Sequence, residues 1–208
     1  MEIQRKSLTQ LFVPICFETL FYMLSGMVDT LMLSSVSDQA VGAVGTANTY
    51  IGVFIIMFGV ISSGMVAVMT QNIGAGKPGV AYQARQLGLI FNAVVVMMSV
   101  FLAVFSGKIL EIVSIAPALF TPAETYLKIV GGACFLNALI PIFSSYLRVF
   151  GYTRQSLFAS ITGNIINFIL NSVFLFVMNW GVMGVAIATV ISRVINLIMV
   201  AAMGAVLV

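Results

Sequence analysis

The sequence predicts an all-α membrane protein, a bundle of six transmembrane helices. Three observations carry that expectation. Of the 208 residues, 61% are hydrophobic and 7% charged, whereas a soluble domain is about one-quarter charged. The mean hydropathy of +1.15 leaves too few polar residues to cover a water-facing surface. The apolar residues also gather into six runs, about 8–33, 44–70, 86–106, 123–146, 156–178 and 183–208. Each matches the roughly 20 residues that a helix needs to cross the hydrocarbon core. Residues 1–208 are therefore read as one six-helix lobe.

The first run contains PICFETLFYMLSGMVDTLMLS, apolar enough to span yet carrying Glu18 and Asp29. It follows MEIQRKSL, which resembles a signal n-region, but the run is too long and too acidic for a signal peptide, so a retained first helix is expected. The second run ends in GAGKPG. Gly74, Gly76 and Gly79 there spell a formal GxGxxG, but a dinucleotide fingerprint must follow a strand in a βαβ unit, and this one follows a membrane helix. A tight turn is expected instead. SGKILEIVSIAP joins the third run to the fourth and is expected to lie in the membrane interface. RVFGYTRQ and NWG supply the remaining breaks, and SSVSDQ closes the first. The sixth run continues to the last residue without a polar tail, so the chain is expected to be a fragment or half of something larger.

Basic residues set the expected topology. Arg5 and Lys6 precede the first helix, Lys77 and Arg85 flank the second loop, and Arg148 and Arg154 flank the fourth. The alternate loops carry Asp38, Glu111 and Glu124, with Lys108 and Lys128 the basic residues near them. The N-terminus and the second and fourth loops are thus expected in the cytoplasm of a cell that holds the protein in its plasma or inner membrane. Trp180, Tyr50 and Tyr126 would then mark the outer interface, and Tyr82, Tyr146 and Tyr152 the inner one. The net charge of +3 reads as topology rather than nucleic-acid binding. Histidine is absent, which excludes imidazole metal sites and relays, and Cys16 and Cys134 fall in apolar helices as small hydrophobes. No nucleophile–base constellation or cofactor motif points to an enzyme.

The polar residues inside the helices carry the functional argument. A charge at the middle of a membrane helix costs about 2.5–3.5 kcal/mol on insertion scales. Eleven helical residues make about three turns plus roughly 20°, so Glu18 and Asp29 share a face, with Tyr22 and Ser25 on the same stripe. Asn164, Asn167 and Asn171 recur at i, i+3 and i+7 in the fifth run, and the sixth adds Thr189, Ser192 and Arg193. Counting the rise along each helix puts Asp29, Asn171 and Thr189 in the outer half of the membrane, within about 4–5 Å of one another in depth. Asn167 and Glu18 lie nearer the midplane. If helices one, five and six are neighbours, these residues form one oxygen-rich pocket. The asparagine row alone reads most plainly as interhelical glue. Asp29 asks for more, because a carboxylate in low dielectric needs a proton, a cation or a basic partner, and amide and hydroxyl oxygens complete the shell of a hard cation. Glu18 is expected to pair with Arg193 or another buried base, or to serve as a second protonatable group. Arg193 reads first as a structural partner.

Four pieces in order resemble the multidrug and toxic-compound extrusion (MATE) transporters. They are PICFETLFYMLSGMVDTLMLSSVSDQAVGAVGTAN, TQNIGAGKPGVAYQAR, YLRVFGYTR, and GNIINFILN followed by GVMGVAIATVISR. The resemblance implies one lobe, the N-terminal one, of a twelve-helix protein with two pseudosymmetric lobes. It implies export of organic cations through the central cleft in exchange for protons or sodium, with no cofactor beyond that coupling ion. It also implies that Asp29, Asn167 and Thr189 form the N-lobe cation site, where sodium is one candidate. Asn171 stands where many members carry a second aspartate. That departure removes a negative charge, counts against strong sodium binding, and leaves Asp29 the sole acid of the outer site. The implied partners are organic cations, membrane lipid, and a C-terminal lobe or a second copy of the chain. Rival readings are a flippase for lipid-linked precursors, of related fold, and a non-transporting fragment. The excess of membrane-depth acids over the single clear base, Arg193, favours cationic cargo over a pyrophosphate head group.

Overall fold

The computed structural model describes residues 7–207, apart from the side chains of Tyr22, Ser25, Pro78, Ala81 and Leu207. Arg5 and Lys6 lie outside the described residues. Among the described residues seven α-helices follow one another: α1 Leu8–Ser34, α2 Asp38–Gly74, α3 Pro78–Ile112, α4 Pro117–Tyr126, α5 Phe135–Val149, α6 Thr153–Ser172 and α7 Gly181–Leu207. Among the described residues there are no strands. The sequence α4, a π-helical turn at Leu127–Gly131 and α5 makes the fourth span, so six spans are long and apolar enough to cross a membrane.

Local chemistry explains where the helices start. Ser7 caps α1 in a box with Gln10, each side chain reaching the other's backbone N–H. The Ser37 hydroxyl accepts from the Ala40 N–H to open α2, and Asp38 places its charge in that helix's first turn. Proline opens both α3 and α4, where its missing N–H leaves no bond unmade. Helices α2 and α3 outrun the apolar runs at both ends: the Ser37 cap starts α2 ahead of its run, and Pro78 opens α3 without a side-chain cap. The expected interfacial linker 106–117 is shorter than its sequence suggests, since α3 continues to Ile112. Gly76 turns the chain between α2 and α3 at φ +74°, in the left-handed region where a Cβ is costly. That turn is the whole role of the GxGxxG pattern here.

Helix α1 packs chiefly on α6, α6 on α7, and α7 on α5, while α2 sits against α3, α4 and α5. Most of the large apolar side chains of α1 are exposed, among them Phe12, Phe17, Met23 and Leu31. One core joins Ala43, Ala47 and Ile51 of α2 to Leu127 and Val130 of the π turn and to Val185 of α7. A second, near the 75–77 and 150–152 loops, gathers Met65, Met69, Ile142, Tyr146 and Phe150. Two of the expected interface tyrosines are therefore core residues. Tyr146 is 1% exposed and lies 4.5 Å under the Arg85 guanidinium, and Tyr126 is 5% exposed. Trp180 is partly exposed and stacks on Phe174.

Candidate cation site

Helices α1 and α6 run parallel, joined by four polar contacts. The Thr153 hydroxyl donates to the Gln10 carbonyl at 3.4 Å, and Ser156 donates to both Glu18 carboxylate oxygens at 3.2 Å. The Asn164 amide donates to the Phe21 carbonyl at 3.4 Å, and the Asn171 amide to Asp29 Oδ1 at 2.7 Å. Thr153, Ser156, Asn164 and Asn171 fall close to a heptad spacing, which keeps them on one face of α6. The polar stripe of α1 meets this second stripe, and lipid sees the remainder.

At the end of α1 nearer Ser34, Asp29 faces a cavity of about 290 Å³. Asn164, Asn167, Thr189 and Arg193 line it as well, so the three helices named from the sequence do converge. Asn171 stands behind Asp29 with no exposed surface, and its amide also donates to Asn167 Oδ1 at 3.3 Å. The Thr189 hydroxyl donates to the Val185 carbonyl at 2.8 Å, which leaves its oxygen lone pairs to accept or coordinate. Arg193 acts electrostatically on Asp29 from α7. Gly163 sets the α6–α7 spacing here, because a Cβ in its place would meet Asn196 Cβ at 3.2 Å.

Glu18 does not join this group. Its base is Arg148 of α5, with Nη1 at 3.8 Å from Oε2, and not Arg193 as its first-named expected partner. Arg148 sits on the last turn of α5, whose final residues the sequence assigns to a loop. Glu18, Arg148 and Arg193 together line a separate cavity of about 280 Å³. The side chains of Tyr22 and Ser25 lie outside the described residues, although their backbone is helical.

Several residues of the outer cavity escaped the sequence reading: Asn48 of α2, Tyr126 of α4, Asn137 of α5 and Asn196 of α7. Tyr126 lies within polar reach of Asn48 and Thr189. Asn196 was legible, since Thr189, Arg193 and Asn196 recur at i, i+4 and i+7 on one face. Tyr126 was not, because a tyrosine near a span's end fits an interface belt equally well. It is followed directly by the Leu127–Gly131 π turn, and a second π turn, Val173–Val177, follows Asn171 by two residues. Such turns favour functional sites because the extra residue re-aims its neighbours.

Among the described residues no three His, Cys, Asp or Glu side chains converge. The donor set is one carboxylate with amide, hydroxyl and phenol oxygens. These oxygens are hard donors rather than soft ones, and the Arg193 guanidinium shares the lining with them.

A lobe that turns Asp29, Glu18, Arg148 and Arg193 onto internal cavities and many large apolar side chains outward has the build of a membrane transporter. The MatE family model matches residues 14–173, and the chain belongs to that family of multidrug and toxic-compound extrusion transporters. It is 36% identical over 199 residues to the uncharacterized transporter YisQ of Bacillus subtilis, covering 92% of this chain and 43% of that protein. It is 30% identical over 208 residues to the probable multidrug resistance protein NorM of Thermotoga maritima, covering 92% and 42%. The chain thus spans less than half the length of these curated relatives. Its fold overlays 43% of a MOP superfamily transporter from Pyrococcus furiosus with a TM-score of 0.83 at 19% identity, covering 94% of this chain. A multidrug resistance MATE transporter in an outward-facing conformation gives a TM-score of 0.82 at 20% identity, covering 94% of this chain and 44% of that one.

Proposed function

We propose that this chain is the N-terminal lobe of a secondary-active antiporter, which exports organic cations in exchange for protons or sodium. Asp29 is the residue that binds the coupling cation, assisted by Asn167, Thr189 and Tyr126. A single observation carries the reading: Asp29 accepts from a neutral amide, Asn171, and opens on a cavity whose oxygen donors, Asn167 and Thr189 among them, are joined by Arg193. An amide orients a carboxylate without neutralising it, so the Asp29 charge is left to Arg193 and to an exchangeable cation. The matched relatives named as multidrug resistance proteins support the cargo class. Coupling cation and cargo compete because each compensates the same buried charge. Pro14, inside α1, removes one backbone hydrogen bond and gives that helix a place to bend on loading. A C-terminal lobe, or a second copy of this lobe, supplies the other wall of the cleft. The distribution of basic residues among the loops supports an N-terminus in the cytoplasm of a cell with the protein in its plasma or inner membrane.

The test is ethidium efflux driven by a proton or sodium gradient, in cells carrying the full-length protein. Asp29→Asn is expected to lower gradient-driven efflux about 100-fold or more, the size of a lost buried charge interaction of about 3 kcal/mol. Efflux that persists at the unaltered rate in that variant removes Asp29 from the mechanism.

A further inference from the structure

The two cavities share a wall. Asn137, Ser160, Arg193 and Asn196 line both the Asp29 cavity and the Glu18 cavity. Arg193 is the charged residue among them. The charges that face these cavities are Asp29 and Glu18 from α1, Arg148 from α5 and Arg193 from α7, two of each sign. The wall is also rich in acceptors: among the described residues Asn137 Oδ1 and Asn196 Oδ1 are buried with no hydrogen-bond partner. These carbonyl oxygens belong to side chains of the shared wall, and a guanidinium brought against that wall would supply the hydrogen bond each lacks. The Glu18–Arg148 contact, at 3.8 Å, is long for an ion pair and well beyond the 2.7–2.9 Å of a tight charge-assisted bond.

Resting on the reading of Asp29 as the coupling site, we propose that Arg193 is a positioning residue that carries the state of Asp29 to the inner cavity. With Asp29 ionised, Arg193 is drawn to the outer cavity and Glu18 is left to Arg148, which ties α1 to α5. When the coupling cation occupies Asp29, the attraction there is cancelled and Arg193 shifts along the amide-lined wall toward Glu18. One carboxylate is then shared by two guanidiniums, the contact with Arg148 weakens, and the inner cavity opens at the end of the bundle that carries the 150–152 loop. Loading at one end of α1 thereby loosens the other, without any movement of Asp29 itself over that distance.

The reporter is Ser144→Cys, which replaces a residue 2% exposed on the inner cavity wall, in full-length protein whose native cysteines are replaced by serine and reconstituted in lipid nanodiscs. The readout is the rate of labelling by a water-soluble maleimide. Introducing Asp29→Asn, which mimics the loaded site, is expected to raise that rate about fivefold, the low end of ordinary site-to-site coupling. Adding Arg193→Gln is expected to abolish the difference, and Arg193→Lys, which keeps the charge, to restore most of it. Unchanged or slower labelling with Asp29→Asn overturns the proposal, as does a difference that survives Arg193→Gln. A merely structural arginine would change the labelling rate regardless of residue 29. Lost transport in Asp29→Asn together with unchanged labelling removes the relay and leaves the antiport reading standing. If Arg193→Gln fails to fold, the comparison of Asp29→Asn with Asp29 intact still decides the first step, and Arg193→Lys the second.

Discussion

Helix α1 carries two carboxylates on one face, and their surroundings differ in kind. Both accept a hydrogen bond from α6, Asp29 from an amide and Glu18 from a hydroxyl. The difference lies in the third partner. Glu18 has the Arg148 guanidinium beside it from α5, so it holds three helices together. Asp29 has Asn171, which is neutral and fully buried, and an open cavity on its other side. A buried acid with its own cation is a structural tie. A half-buried acid held by an amide and facing a cavity, with Arg193 acting on it from α7, is under the proposed function a vacancy that the coupling cation fills. Equivalent positions on a helical wheel thus acquire opposite duties from what the neighbouring helices present.

The largest effect that tests this contrast is on stability at the Glu18 end. Arg148→Ala leaves Glu18 without its counter-ion and is expected to destabilise the lobe by about 2 kcal/mol, below the range for a broken fully buried pair because the contact is long and both partners keep some water contact. The swap Glu18→Arg with Arg148→Glu is expected to recover most of that. Asp29→Asn, by contrast, is expected to leave stability nearly unchanged while transport is lost. Thermal unfolding in nanodiscs checks all three. A loss in Asp29→Asn as large as in Arg148→Ala would erase the distinction between tie and vacancy.

The same contrast shows what could be seen before any coordinates. The six spans were legible because lipid imposes a composition rule that few other environments do. The convergence of Asp29, Asn167, Asn171 and Thr189 was legible because these residues violate that rule at countable depths. Glu18's partner was not, since Arg148 reads as a loop cation until α5 is seen to continue to Val149. Tyr126 and Asn137 were hidden for a related reason. The fourth span is broken by a π turn, so counting by 100° per residue from Tyr126 no longer gives the face on which Asn137 falls. Periodicity reads regular helices well and misplaces side chains wherever a turn gains a residue.

A smaller effect sharpens the outer end. Asn171→Asp puts a second acid beside Asp29, as the family resemblance expects of many members. One added negative charge in that donor set is expected to raise the apparent sodium affinity of transport about tenfold, or about 1.4 kcal/mol. A sodium titration of the efflux rate measures it. No change there would mean that Arg193 rather than residue 171 controls the cation preference of the site.

The smallest effect is the most useful control. Thr153 is buried and donates to the Gln10 carbonyl at 3.4 Å, at the far end of the α1–α6 seam from Asp29. It touches neither carboxylate. Thr153→Val keeps the shape and removes one hydrogen bond, with an expected cost of about 0.6 kcal/mol, typical of interhelical bonds inside membranes. Gradient-driven efflux is expected to stay within twofold of the unaltered protein. If this substitution instead silences transport as fully as Asp29→Asn, then what transport requires is the attachment of α1 as a whole. The carboxylates would differ only in how tightly they fasten it, and the separate duties assigned to the two ends of the helix would collapse into one.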